Sequence, residues 1–181
     1  MSRNYYYFAA TLPLLHFGSK TTISDEEFLE QASEFLSPAD ARSIANARLV
    51  PPEEDGRGQA ALEEWLKFEN SLRNETARFR GKRIKRDPRE YYRGEYVPDP
   101  QLAALVAEAA GEEDPLQVER RIDLARWEKL EEIELLHYFD LHFLIVYFLK
   151  LQLLNKWQAI RDEKGREVLD EMINPPKESD Q

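Results

Sequence analysis

The chain has 181 residues, of which 42% are hydrophobic and 33% charged, and its formal net charge is −10. This length is sufficient for one compact domain with its own core, and the composition is that of a folded globular protein. The lack of cysteine excludes a disulfide framework, a thiol nucleophile and a cysteine metal site. No signal-peptide pattern opens the sequence, which predicts a cytoplasmic location.

The charge is unevenly distributed along the chain. Between Arg73 and Arg93, nine Arg or Lys residues and three acidic residues give a net charge of +6, so the remainder carries −16. Domains that bind nucleic acid are normally basic as a whole. The overall balance therefore makes nucleic acid the least favoured class of partner for this basic segment.

The N-terminal part predicts short helices. Residues 4–12 are aromatic and apolar and fit one face of a helix, although the same run would suit a strand. Ser24 and Glu27 have the spacing of a capping box, which begins a helix. Ser37 and Pro38 are a typical cap and first-turn residue for the next helix. We predict that these last two helices pair as a hairpin.

Longer helices follow. In residues 59–83, apolar side chains recur at spacings of three and four, and Asn74 lies on the opposite, polar face. Gly81 is expected to weaken this helix locally. A short helix is predicted at 101–110 and a long one at 116–136. The long one carries apolar residues on two sides, which indicates burial between layers or an interface.

The organising element is a helix predicted at 140–157. Between residues 143 and 154 it is apolar almost all the way round, so neighbouring helices must bury it. Its apolar stretch is shorter than the roughly 20 residues that cross a bilayer. A separate short helix is predicted at 161–173, and residues 174–181 are predicted to be a frayed tail. The sequence thus predicts an all-α fold, a single domain over residues 1–173 of helical hairpins stacked around a buried C-terminal helix.

No catalytic constellation is apparent in the sequence. Glu134 and His137 match one half of a di-iron motif, but such sites need the motif twice and the second half is missing. His137 and His142 are five residues apart, about 140° around an ideal helix, so one helical face would not present both to a metal. No order of Ser, His and Asp carries a nucleophile signature. We therefore predict no enzyme activity, no cofactor and no metal.

The basic segment is the candidate partner-binding surface. Arginine forms bidentate bonds to carboxylates, and tyrosine supplies rigid contact area. Three interpretations remain open: a solvated face paired with the chain's own acidic helices, a surface for an acidic protein, or a nucleic-acid track with stacking aromatics. The residues predicted to bind a partner are Arg78, Arg80, Arg83, Arg86, Arg89, Tyr91, Tyr92 and Arg93.

Four segments resemble a family of short bacterial proteins of uncharacterised function, whose members are typically encoded in V/A-type ATPase operons. These segments are residues 4–15, 23–29, 72–80 and 139–157. A looser similarity extends to the C (or d) subunit of these rotary ATPases, a helical part that joins the central stalk to the membrane ring. That subunit is considerably longer and has repeated helical lobes, so this chain would supply only part of such an architecture.

The resemblance implies a non-catalytic ATPase-associated subunit or assembly adaptor that couples stalk to ring. It also implies a cytoplasmic protein held at the membrane periphery through the ATPase. Two other functions remain open from the residues themselves: a helical enzyme or small-ligand-binding protein with an interhelical pocket, and a regulatory adaptor that binds nucleic acid through the basic segment.

Overall fold

The computed structural model describes residues 3–52 and 58–173, in which seven α-helices form and no strand occurs. The all-α prediction is confirmed, and the predicted tail at 174–181 lies outside the described residues. A 3₁₀ turn, Pro88–Tyr91, follows the fourth helix. The helices are Arg3–Thr11 (α1), Asp25–Phe35 (α2), Pro38–Ala45 (α3), Ala60–Ile84 (α4), Pro100–Ala109 (α5), Pro115–Glu134 (α6) and Leu141–Ile173 (α7).

The second and third helices begin at the capping residues predicted from the sequence. The Ser24 hydroxyl accepts a bond of 3.1 Å from the Glu27 N–H, and the Glu27 carboxylate accepts one of 2.8 Å from the Ser24 N–H. Ser37 accepts from the Asp40 N–H at the start of α3. The aromatic N-terminal segment is a helix, and its Tyr5 hydroxyl donates to Asp40 at 2.6 Å, which ties α1 to α3. Of the two alternatives for this segment, the helix is therefore correct and the strand is not.

The helix α7 is continuous from Leu141 to Ile173, so the predicted end near Trp157 and the separate helix at 161–173 are wrong. The polar residues at that point make lateral contacts instead of ending the helix. Asn155 donates to Asp25 of α2 at 2.7 Å, and Lys156 donates to Asp123 of α6 at 2.8 Å. Even with this length, neither α7 nor any other helix of the described residues has an apolar stretch capable of spanning a membrane.

The middle of α7 forms the centre of the hydrophobic core. Its residues 144–151 are all buried, and α2, α3, α4 and α6 pack around it. The ring of Phe28 stacks on that of Phe148 with centroids 5.2 Å apart, and Trp65 of α4 is almost completely buried. A smaller cluster, centred on Leu72 and Val106, joins α4 to α5. The predicted single domain around a buried C-terminal helix is therefore confirmed.

Gly81 does not interrupt α4, which continues to Ile84. The glycine is buried because the chain folds back over it. Lys85 adopts a left-handed conformation with φ of 54°, and the Arg86 N–H donates to the Gly81 carbonyl at 3.0 Å. An added Cβ at position 81 would lie 2.9 Å from the Arg86 carbonyl oxygen and 3.0 Å from Pro88 Cβ. The absence of a side chain is thus what allows the segment after α4 to approach the helix.

Replacing Gly81 by alanine is expected to destabilise the protein by about 1–3 kcal/mol, because the new methyl group overpacks against backbone atoms. Helix propensity alone predicts the opposite sign, a gain of about 1 kcal/mol. Urea denaturation monitored by circular dichroism shows whether the variant loses or gains stability. Arg80→Ala at the neighbouring exposed position is the control and should change stability by less than about 0.5 kcal/mol. A more stable Gly81→Ala variant would contradict the close approach.

Candidate partner-binding groove

A groove of about 920 Å³ lies between the C-terminal half of α4, the end of α5, residues 118–126 of α6 and Lys156 of α7. Three of the large apolar side chains exposed to solvent line it: Val50, Ile84 and Tyr91, with exposed fractions of 54%, 62% and 61%. Its deeper apolar lining, which we call the floor, consists of Leu72, Phe79, Val106, Val118 and Ile122. Exposed apolar groups grouped in a concave surface are typical of an interaction site.

Basic side chains from α4 and the turn after it form one wall of the groove, which we call the arginine wall: Arg80, Arg83 and Arg86. All three are exposed. None of them forms an ion pair with a carboxylate of the described residues. The arginine wall therefore presents positive charge that the described part of the chain does not neutralise.

The opposite wall of the groove also carries charged side chains, but its cations are paired with carboxylates of the protein. Arg126 of α6 donates to Glu69 at 2.6 Å and to Asp123 at 2.8 Å, and both carboxylates are completely buried. Lys156 of α7 bonds to Asp123 and to Glu119. Burial by itself would lower the pKa of the Arg126 guanidinium, but the bonds that it donates to Glu69 and Asp123 outweigh burial and raise that pKa. The cations of this wall are thus already committed to partners within the protein.

Four of the eight predicted partner-binding residues line the groove: Arg80, Arg83, Arg86 and Tyr91. The basic segment does not form one continuous surface, because the chain reverses at Lys85 and then runs back along α4, where Arg93 bonds to Asn74. This reversal decides which of the predicted residues line the groove, and the helical spacing of the residues does not predict it.

The other four predicted residues have partners within the fold. Arg78 pairs with the buried Glu75 at 2.7 Å, and Arg89 pairs with Asp87 at 2.6 Å. The Arg93 backbone exchanges two hydrogen bonds with the side chain of Asn74. Asn74 was predicted on the polar face of α4, and it is buried there beneath this connector. The Tyr92 ring stacks on that of Tyr96 with centroids 4.5 Å apart.

Glu75 anchors the connector that follows the 3₁₀ turn. Its carboxylate accepts from the Tyr96 hydroxyl at 3.0 Å and from the Asp99 N–H at 3.1 Å, and it pairs with Arg78. Burial by itself would raise the pKa of the Glu75 carboxyl. The bonds from the Asp99 N–H, Arg78 and Tyr96 outweigh burial and hold that pKa below its ordinary value of 4.5.

Glu75→Gln is expected to lower the free energy of unfolding at pH 7 by about 1.5–3 kcal/mol, the usual value of hydrogen bonds to a charged group. Because the folded pKa of Glu75 is lowered, its stabilising contribution is present above the unfolded pKa and is lost as the pH falls through the folded value. The difference between wild type and variant should therefore shrink as urea denaturation is repeated from pH 7 down to about pH 3. A difference independent of pH would contradict this role.

The predicted separation of His137 and His142, about 140° around one ideal helix, is wrong. Leu136 has φ of 70° and turns the chain before α7 begins, so His137 is not on that helix. The two imidazole rings stack in parallel with centroids 3.7 Å apart. His137 contacts Asp140 at 2.6 Å, and His142 Nε2 lies 2.8 Å from the Ile133 carbonyl oxygen.

Glu134, the other half of the di-iron motif, pairs with Lys150 and not with His137. Across the residues with described side chains, no three His, Asp or Glu gather in a way that would hold a metal ion. The lack of enzyme activity and of a bound metal stays a prediction.

The apolar floor was missed in the sequence analysis, because its members fit the core stripes of their own helices. A signal was nevertheless present: Ile84 is an isolated large apolar residue between Arg83 and Lys85 in the most basic stretch of the chain. Such a residue is out of place on a solvated basic face.

Comparison with protein families gives one match over the C-terminal part of the chain. The model of a family described as "Protein of unknown function (DUF2764)" matches residues 100–179, from the start of α5 to beyond the end of α7. Of the four segments that carry the resemblance to ATPase-operon proteins, only 139–157 lies in this range. No curated protein and no solved structure matches the chain. The chain is therefore similar over this range to a family without an assigned function.

Proposed function

We propose that this protein is a non-catalytic adaptor that binds an acidic protein partner in the groove, and that the partner is a subunit of a rotary V/A-type ATPase at its stalk or stalk–ring junction. The observation that carries the adaptor role is the arginine wall beside an apolar floor. The identity of the partner rests on the resemblance of the four sequence segments. The adaptor role and the ATPase partner are therefore two claims that can be tested separately.

The physical case for a protein partner combines the two chemistries of the groove. Burial of apolar area supplies the driving force for association, and the exposed Val50, Ile84 and Tyr91 offer that area at the rim. Arginine retains its charge at any physiological pH and matches carboxylates in geometry. Exposed charges such as those of the arginine wall accelerate the encounter with a partner and select partners of opposite charge more than they add affinity.

Reversing the arginine wall with Arg80→Glu, Arg83→Glu and Arg86→Glu is expected to weaken partner binding at least about tenfold, mainly through slower association. Thermal stability should change little, because exposed charges contribute about 0–1 kcal/mol to folding. The measurement is a pull-down from cells that contain the ATPase, with identification of the retained subunits. Surface plasmon resonance with the recovered subunit then provides the rate constants at two salt concentrations.

The matched control is the triple variant Arg42→Glu, Arg48→Glu, Arg120→Glu, which changes the net charge equally at exposed arginines outside the groove. It should retain binding. If folded wild-type protein recovers no ATPase subunit at low salt, the named partner is wrong. If both triple variants bind equally, the partner stands but the groove is not its site.

A second function is favoured by the size of the groove. A volume of about 920 Å³ is within the range of small-molecule sites, about 300–1,000 Å³. An anionic amphiphile would place its chain on the floor and its head group on the arginine wall. Native mass spectrometry of protein purified from cells, with organic extraction of any added mass, tests this function, and a stoichiometric bound lipid or acid would favour it over the adaptor role.

A further inference from the structure

Building on the proposed adaptor function, we infer that the occupant of the groove is one amphipathic helix of about three turns, with its apolar face on the floor and a row of carboxylates along a single flank. Neither the resemblance nor the family match describes the form of the partner segment. The length of the groove, the placement of its charges and the small exposed side chain at the end of α5 favour a helix.

The length of the groove favours an elongated occupant. Its α4 lining extends from Leu72 to Ile84, a distance of about 18 Å at 1.5 Å per residue. Apolar contact is available at both ends, since Leu72 lies at the buried end and Ile84 and Tyr91 at the exposed end. Ala110 lines the groove just after α5, is exposed, and has too small a side chain to block an approaching backbone. A helix of about 12 residues, slightly more than three turns, spans this distance.

The charges of the groove differ between its two walls. Arg80, Arg83 and Arg86 are spaced three residues apart, so the first two lie about one helical turn apart on α4. On the other wall, Arg126 and Lys156 are neutralised by Glu69, Asp123 and Glu119. Carboxylates at spacings of three or four on one flank of a docked helix would meet the arginine wall in succession. A second acidic row would meet a wall that already contains Glu119.

The distribution of charge in the groove also favours a helix over a small amphiphile as the occupant. A single anionic head group would engage one or two of the three arginines and would leave the remaining positive charge unmatched. A helix flank with several carboxylates matches the whole wall, and bidentate pairing of each arginine fixes its register. The docking mode is then the helix-in-groove type, in which apolar anchors occupy positions i, i+3, i+4 and i+7.

The test uses a synthetic 14-residue amphipathic peptide with leucine at i, i+3, i+4 and i+7 and glutamate along one flank, labelled for fluorescence anisotropy with the full-length protein. Two comparison peptides replace glutamate by glutamine or scramble the same composition. The first peptide is expected to bind at least tenfold more tightly than either. Reversal of the arginine wall and, separately, Ile84→Asp should each reduce its binding about tenfold, while Arg42→Glu/Arg48→Glu/Arg120→Glu should not.

The inference would be overturned if the glutamate peptide did not bind, or if the scrambled peptide bound equally well. It would also be overturned if reversal of the arginine wall left binding of the glutamate peptide unchanged. Decanoate that binds as tightly as the first peptide and displaces it would also overturn it, in favour of a small amphiphile. Failure here is distinguishable from failure of the proposed function. Binding of the peptide without recovery of an ATPase subunit rejects the named partner only, and recovery of a subunit through the arginine wall without peptide binding rejects the helical occupant only.

Discussion

Replacing Arg126 by methionine is expected to lower the free energy of unfolding by about 3–5 kcal/mol, because it leaves buried carboxylates without their main counter-charge. Glu69 and Asp123 are both completely buried and both accept bonds from this guanidinium. Asp123 would keep Lys156 and Trp157 as donors, whereas Glu69 would keep, among the residues that the structure describes, Arg73 alone, at 3.9 Å. Most of the loss should therefore come from Glu69. Urea denaturation measured by circular dichroism provides the value.

Arg121→Met is the matched control for this prediction. Arg121 lies on the same helix and pairs with Glu108 and Glu112, but all three side chains are substantially exposed. Its loss should be below about 1 kcal/mol. If Arg126→Met does not fold, the double variant Glu69→Gln/Arg126→Met should be the more stable of the two, because no charge at position 69 is then stranded. Equal small losses for Arg126→Met and Arg121→Met would show that the network is not energetically important.

Leu149→Ala is expected to destabilise the protein by about 2–5 kcal/mol, the sum of lost apolar transfer free energy and the cost of a cavity. Leu149 lies in the middle of α7 and is only 1% exposed. Helices pack around this part of α7 from several sides, so the surroundings have little freedom to collapse into the space. The same denaturation experiment measures the loss.

Leu14→Ala is the control for the core prediction, since Leu14 is 81% exposed in the loop after α1. It should change stability by less than about 0.5 kcal/mol. A loss at Leu149 no larger than that at Leu14 would mean that this face of α7 is not a packed core in solution.

The helices that were predicted correctly share one property, which is that their signals lie within a few residues of each other. The capping box of Ser24 and Glu27 involves residues three apart. The proline at the first turn of α3 acts on its own backbone. The apolar periodicity of α4 repeats every three or four residues. The error at α7 has the same origin, because the polar residues near Trp157 serve distant contacts, with Asp25 and Asp123, that local patterns do not reveal.

The candidate site was predicted in part, and the reason is again one of range. The excess of positive charge between Arg73 and Arg93 is visible in composition, and Arg80, Arg83, Arg86 and Tyr91 do line the groove. Which apolar side chains meet these arginines depends on other helices, because Val106 of α5 and Val118 and Ile122 of α6 reach the groove only after those helices pack against α4. The pairing of Arg78 with Glu75 is local by contrast, since the two residues lie three positions apart on α4.

The amino-acid sequence by itself determined the all-α class, the starts of the capped helices and the burial of the C-terminal helix, because caps and helical periodicity act through neighbouring residues. Only the tertiary structure decided the groove and its two unlike walls. Glu69 and Arg126 are 57 positions apart, and Lys156 and Asp123 are 33 apart. Charges so distant along the chain meet only after the helices have packed, and packing is governed by the shapes of all the buried side chains together.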